Sequence, residues 1–380
     1  MAKSKRRGDG EGHIRQRADG RWEARLSLGY AGGRRRCKSV FGRIQAEALE
    51  KLDTEKAKLR AGLPVTTEPQ SLAAFLERWL AETLATRAKP RSLDSFSTIA
   101  RLHITPVIGR VRLDKLTPQH VAGLLNARRS LAPQTRVNIL TVLKSALAEA
   151  LRWNLVARNV ATLVDAPRIP RPQVRALDTD GARKLLQAAQ GHRFEAIIAL
   201  AVMLGMRRGE ILGLRWADVS FEERTLHVHQ AVQRIGRTVQ ATEVKTDRSR
   251  RTLALPDNVI RTLRLRRAQQ AQERLLAGGQ WQDQDLVFTG PNGAPLEPVT
   301  LNRSYKALLK TAGLPVATRF HDLRHSAASL LLAQGVHARV IMELLGHSSI
   351  SVTMNTYGHI MPAALREAAS TMDAILAAEK

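Results

Sequence analysis

Two stretches of this chain are poor candidates for any hydrophobic core. "LPVTTEPQ", residues 63–70, and "DAPRIPRPQVRAL", residues 165–177, are short of apolar side chains and rich in breakers; the second holds three prolines and three arginines. Proline fixes φ and has no amide donor, so such runs neither continue a helix nor enter the middle of a sheet. Both read as linkers by composition. The 380 residues are therefore expected to fold as separate bodies, each long enough to bury its own core. The expected division is a module over 1–64, a domain over 71–165, a linker over 166–175 and a domain over 176–380.

Hydrophobic periodicity differs between these parts. Over 20–42, Trp22, Ala24, Leu26 and Leu28 alternate with Glu23, Arg25 and Ser27 before "GYAGG" turns the chain into "RRRCKSVFG", the pattern of a short antiparallel sheet. Ile44, Ala48, Leu52 and Leu59 then keep helical spacing until Gly62 and Pro64. From Ser71 to Asp165 the pattern is helical, four or five helices in one bundle, the longest from Pro133 to Trp153 with Val137, Leu140, Leu143, Leu147 and Leu151 on one face. Beyond the second linker, helices are expected around Thr179–Ala189 and Glu195–Leu204, strands around Thr225–Gln230 and Arg251–Leu255, and helices again to the end. The fold class is multidomain, mainly α with small β-sheets, and the last domain is α+β.

Charge narrows the partner. Sixty Lys and Arg against 34 Asp and Glu give a formal +26. The surplus is spread: residues 1–60 carry 17 basic and 8 acidic groups, 71–165 carry 14 and 6, and 166–380 carry 29 and 19. A tail or a single solubilising run does not produce that distribution, whereas a polyanion contacted by every part does. The single Cys37 excludes an internal disulfide or a cysteine-based zinc cluster and fits a reducing cytoplasm. No apolar run approaches a membrane span, and "MAKSKRRGDGEGH" has no apolar segment after it, so neither membrane insertion nor secretion is expected.

The chemistry gathers in the last domain. "RFHDLRHSAASL", 319–330, sets His321, Arg324 and His325 within about one turn at the mouth of an apolar helix that Gly335 ends. A second helix, from about His337 to Leu345, stops at Gly346 and delivers His347 into a turn; Tyr357 stands ten residues later. Upstream, "LGMRRGEILGLRW" presents Arg207 with Glu210 three residues on, a spacing at which the carboxylate can hold the guanidinium. Arg208 and Arg215 in the same stretch fit a solvated or DNA-facing helix surface. "EVKTDRSRRTLALP" falls where a hairpin should turn, with Lys245 near its tip and Arg248, Arg250 and Arg251 as candidate phosphate contacts beside it. Arginines that cannot lose their charge, a lysine, histidines and a tyrosine, without a carboxylate cluster, suit the stabilisation of a phosphodiester under attack without a metal, with tyrosine as nucleophile.

These motifs resemble the tyrosine recombinase family, the phage integrases, in both order and spacing: an arginine in a G-x-R-x-x-E context, a hairpin lysine, H-x-x-R, a histidine after a glycine, and a tyrosine about ten residues on. The resemblance implies a catalytic set of Arg207, Lys245, His321, Arg324, His347 and the nucleophile Tyr357, with Glu210 in support. It also implies a site-specific DNA recombinase that works through a 3′-phosphotyrosyl bond, Lys245 protonating the 5′-oxygen, His321 assisting proton transfer and His347 bonding the phosphate. By the same resemblance, 71–165 is a core-binding (SAM-like) domain, 12–62 a three-stranded arm-site-binding module, and 176–380 the catalytic domain. No cofactor is implied. The implied partners are double-stranded DNA at core and arm attachment sites, three further copies in a tetramer, and accessory DNA-bending and excision factors, in a bacterial host cell where the enzyme integrates or excises a mobile element such as a prophage. Two other functions use the same parts: a DNA-binding regulator without chemistry, which the full residue set argues against, and a type IB topoisomerase-like relaxing enzyme, which would not need a separate arm module. His321 and His325 could also be two zinc ligands on a helix face, but neither a following glutamate nor a third ligand accompanies them.

Overall fold

The structure is a computed structural model and describes residues 13–31, 34–60, 70–170, 175–236, 238–243, 250–346 and 372. The chain divides into two compact units between Pro170 and Arg171, inside the second proline-rich run.

The first unit opens with strands β1 (His13–Gln16), β2 (Trp22–Ala31) and β3 (Arg34–Gly42), antiparallel in that order, followed by helix α1 (Gln45–Arg60). Ala24 and Leu26 on β2 and Ala48 and Leu52 on α1 make a small core, edged by Ile14, Trp22, Leu28 and Val40. Ile44 precedes the helix and is exposed, as is Leu59. On β2, Glu23 is buried and accepts from Arg15 and Arg25, each at 2.8 Å, and from Ser39 at 2.8 Å.

Helices follow. α2 (Leu72–Arg78) passes through a π-helical turn, Trp79–Leu84, into α3 (Ala85–Arg87); α4 (Pro90–Ile99) passes through a second, Ala100–Ile104, into α5 (Thr105–Ile108); then come α6 (Pro118–Ala127) and α7 (Pro133–Arg152). Prolines 90, 118 and 133 each stand at a helix start, where no amide donor is needed. Phe75, Leu76, Trp79, Ile104, Leu124, Leu140 and Leu143 form a second, separate core. The buried face of α7 includes Ile139, Leu143, Ala146, Leu147 and Ala150, which leaves Leu151 exposed rather than in the stripe its spacing suggested.

In the second unit, α8 (Thr179–Ala188) leads to α9 (Glu195–Met203), whose residues from Ala196 to Val202 are all buried. A helix apolar on every side belongs inside a core, and α9 packs against α8, the short α10 (Arg208–Leu212), α11 (Asp257–Ala277) and α13 (Asp322–Ala333). Strands β4 (Val219–Ser220), β5 (Thr225–Val228) and β8 (Arg251–Ala254) form one antiparallel sheet, while β6 (Gln230–Ile235) and β7 (Thr238–Glu243) form a separate hairpin. The hairpin turns at Gly236, φ +58°. The turn expected within "EVKTDRSRRTLALP", with Lys245 near its tip, lies outside the described residues. α12 (Pro298–Thr311) and α14 (Ala338–Leu345) complete the described elements.

Candidate active site

The site is assembled where α9 ends. Gly205 has φ +60°, a left-handed conformation that side chains disfavour, and an added Cβ would lie 2.5 Å from Leu345 Cδ2 and 3.3 Å from Ala327 Cβ. Glycine lets the chain reverse flush against α13 and α14. Two residues later Arg207 caps the start of α10, and Glu210, in the first turn of α10, reaches back to it: Oε2 accepts from the Arg207 amide at 3.0 Å, and Oε1 from Arg207 Nη1 at 2.7 Å.

Glu210 also binds a second arginine. Arg251, the first residue of β8, donates Nη2 to Oε2 at 2.8 Å and Nη1 to Oε1 at 3.3 Å. Burial by itself would raise the Glu210 pKa; the bonds and charge of Arg251, then those of Arg207, outweigh it and hold the carboxyl below its ordinary value. Arg251, whose basic surroundings in the sequence suggest a phosphate contact, is turned into the protein, with Nε on the Leu344 carbonyl and both Nη atoms on Glu210.

The third arginine, Arg324, projects from α13 and is 3 % exposed. It donates Nη1 to the Gly205 carbonyl at 2.8 Å and Nη2 to the Leu345 carbonyl. Arg251 Nε donates to the Leu344 carbonyl at 2.8 Å, and Arg207 Nη2 to the Gly346 carbonyl at 3.0 Å. Three guanidiniums therefore take three successive carbonyls at the C-terminal end of α14. Those carbonyls have no partner within their own helix and carry the negative end of its dipole, so cations are what that end attracts. Gly346 closes the helix in the left-handed region, φ +64°.

His321 stands at the start of α13, its ring edge-on to His325 with centroids 5.3 Å apart. Its pKa is pushed down to about 4, by desolvation first and then by the charges of His325, Arg324 and Arg207. By surface area the residue is exposed, so the charges of His325, Arg324 and Arg207 weigh alongside desolvation in favouring the neutral imidazole. His325 is lowered as well, chiefly by desolvation. Asp322, which is buried, accepts from the Arg319 amide at 2.8 Å and from its guanidinium at 2.9 Å.

Of the residues singled out in the sequence, the structure brings together Arg207, Glu210, His321 and Arg324. Lys245, His347 and Tyr357 lie outside the described residues. Arg208 and Arg215, expected on a helix surface, have protein partners: Arg208 donates to Asn302 at 3.1 Å, and Arg215 forks onto the buried Asp218 at 2.8 Å through two nitrogens. Among the described residues no group of three or more His, Cys, Asp and Glu is placed to hold a metal ion, and no helix is long and apolar enough to cross a membrane.

Residues 175–363 match the Phage integrase family and residues 71–127 the Phage integrase, N-terminal SAM-like domain. An integrase of Streptomyces ambofaciens is 32 % identical to the chain over 385 aligned positions that cover 99 % of the chain and 98 % of the relative. The chain belongs to the phage integrase family. It is a tyrosine-type site-specific DNA recombinase. Solved structures agree in fold: the Tn1549 transposon integrase with a circular intermediate DNA superposes with a TM-score of 0.67 at 18 % identity, covering 80 % of this recombinase and 99 % of that chain. A lambda integrase from a tetramer bound to a Holliday junction gives 0.56 at 20 % identity, covering 92 % and 96 %.

Proposed function

We propose that this recombinase cuts and rejoins double-stranded DNA by two transesterifications on one scissile phosphate. The Tyr357 hydroxyl attacks phosphorus; the P–O5′ bond breaks as the Tyr357–phosphate bond forms, leaving a 3′-phosphotyrosine and a free 5′-hydroxyl. His321, neutral at working pH, helps take the tyrosine proton, and Lys245 delivers one to the departing O5′. Arg207 and Arg324 offset the charge that gathers on the nonbridging oxygens, and His347 bonds one of them. A 5′-hydroxyl from the partner duplex then attacks the phosphotyrosine and restores the enzyme. Carrying this reading is the convergence of Arg207, Arg324 and the Glu210 brace on the end of α14, one residue before His347 and eleven before Tyr357.

The modular roles belong to the same proposal: 71–165 holds the core site, 1–64 the arm site, and 176–380 carries the chemistry. By similarity to the lambda integrase seen as a tetramer on a Holliday junction, four copies act on two duplexes, with accessory bending and excision factors setting direction. The test is a suicide substrate, a duplex built on the direct repeat that bounds the encoding element and nicked beside the scissile phosphate. The parent chain is expected to trap a covalent adduct on a denaturing gel, and Tyr357→Phe to bind the duplex without forming one. An adduct in the variant would move the nucleophile elsewhere; relaxation of a plasmid without that repeat would point to a topoisomerase instead.

A further inference from the structure

We infer that Arg251 is a positioning residue for the arginine clamp: through Glu210 it sets the guanidinium of Arg207, and through the Leu344 carbonyl it is itself anchored to the end of α14. The inference rests on the reading of Arg207 as a phosphate-binding group. An ionised carboxylate offers about four lone-pair sites, and Glu210 has them filled: two by Arg207, its amide and Nη1, and two by Arg251, Nη1 and Nη2. With both sides engaged the carboxylate has one orientation. Without Arg251, half its sites are empty, and the group that aims Arg207 is free to turn.

The other end of Arg251 strengthens the case. Its Nε bonds the Leu344 carbonyl while Arg207 Nη2 bonds the Gly346 carbonyl, so both arginines grip one turn of α14 from the same carboxylate. Arg251 itself sits on a strand, paired with Val228 of β5, and its side chain is almost fully covered. That gives it a fixed base, and its three nitrogens are spent on Glu210 and the Leu344 carbonyl. Arg207, by contrast, keeps 36 % of its side chain exposed. One is built to hold and the other to reach.

The experiment measures single-turnover cleavage by the full chain on two suicide duplexes, one with an ordinary scissile phosphodiester and one with a methylphosphonate there, which removes the charge that Arg207 offsets. Arg251→Ala is expected to bind the duplex within about twofold of the parent and to cleave the phosphodiester on the order of 10²-fold more slowly, as when one preorganised charge donor is lost. On the methylphosphonate, Arg207→Ala and Arg251→Ala should both recover most of their rate, and the double variant should be no slower than Arg207→Ala alone. Arg251→Lys, which keeps the charge but not the fork, should lie between. A defect in Arg251→Ala that persists on the uncharged substrate, or losses that multiply in the double variant, would overturn the inference and leave Arg251 a purely structural residue. Should the alanine variant fail to fold, Arg251→Lys on the two substrates gives the same comparison. Parent-like cleavage of the phosphodiester by Arg207→Ala would instead sink the underlying assignment of Arg207, whatever Arg251 does.

Discussion

Replacing Glu210 by glutamine changes one oxygen to NH2 and keeps the shape, yet it should be among the most damaging substitutions in the second unit. The carboxylate takes four N–H groups from two arginines and is 3 % exposed. A glutamine carbonyl can accept two of those four, and its NH2 turns donors against donors. At least two charge-assisted bonds are lost, each worth about 1.5–3 kcal/mol, and Arg251 is left buried beside a neutral group. Breaking a buried pair on one side alone typically destabilises by about 3–5 kcal/mol, so the two routes agree near 3–5 kcal/mol. For a domain of this size that corresponds to a fall of roughly 6–20 °C in its unfolding transition. Calorimetry of the full chain reads the shift, and hydrogen exchange should place the loss in α9, α10, β8 and α14. Adding Arg251→Met should recover part of it, because the stranded charge goes. A Glu210→Gln protein that melts within about 1 kcal/mol of the parent would mean the carboxylate is hydrated rather than locked, and the reasoning would fail.

Gly205→Ala must adopt a left-handed φ, disfavoured by about 1–2 kcal/mol, and displace Leu345, so thermal melting should fall and cleavage should suffer more than DNA binding; parent-like melting would contradict the close approach of Gly205 to Leu345. His321 and His325 have folded pKa values below the ordinary 6.5, that of His321 at about 4, so the unfolded chain takes up protons first, and their contribution, whole above about pH 6.5, should drain away as pH falls toward 4. A pH series of melting temperatures tests it: His321→Asn should flatten the slope in that window, and an unchanged slope would refute the assignment. Lys245→Ala should slow cleavage of ordinary DNA by about 10²–10⁴-fold but recover on a duplex whose bridging 5′-oxygen is sulfur, a leaving group that needs little protonation; equal impairment on both would pass the acid role to another residue. Removing residues 1–64 should leave core-site cleavage intact and make the salt dependence of DNA binding shallower; equal slopes would show that the module does not touch DNA.

Where local rules decide, the sequence can be read closely. Pro133 and the apolar spacing set the start and length of α7, Gly346 sets the end of α14, and the three-residue step from Arg207 to Glu210 sets their ion pair. Long-range choices are less visible. "QAVQRIGRTVQATE" has the alternation of a hairpin, but its turn at Gly236 competes with the more polar stretch after Glu243, which composition alone favours for the reversal. Arg248, Arg250 and Arg251 look alike in the chain; only the pairing of β8 with β5 turns Arg251 inward to Glu210. Ile44 and Leu151 fit their helical stripes by spacing yet lie at positions their neighbours do not cover.

α10 has a further consequence. Its glycines, Gly209 and the closing Gly213, lie flat against β6: a Cβ on Gly209 would stand 3.0 Å from the Val232 carbonyl oxygen, and one on Gly213 3.0 Å from Ala231 Cα. The helix that Arg207 caps is thus also the bed on which the β6–β7 hairpin is laid. Arg207 and the β6–β7 hairpin share one foundation of five residues, so a side chain at either glycine would push the hairpin and shift it relative to Arg207.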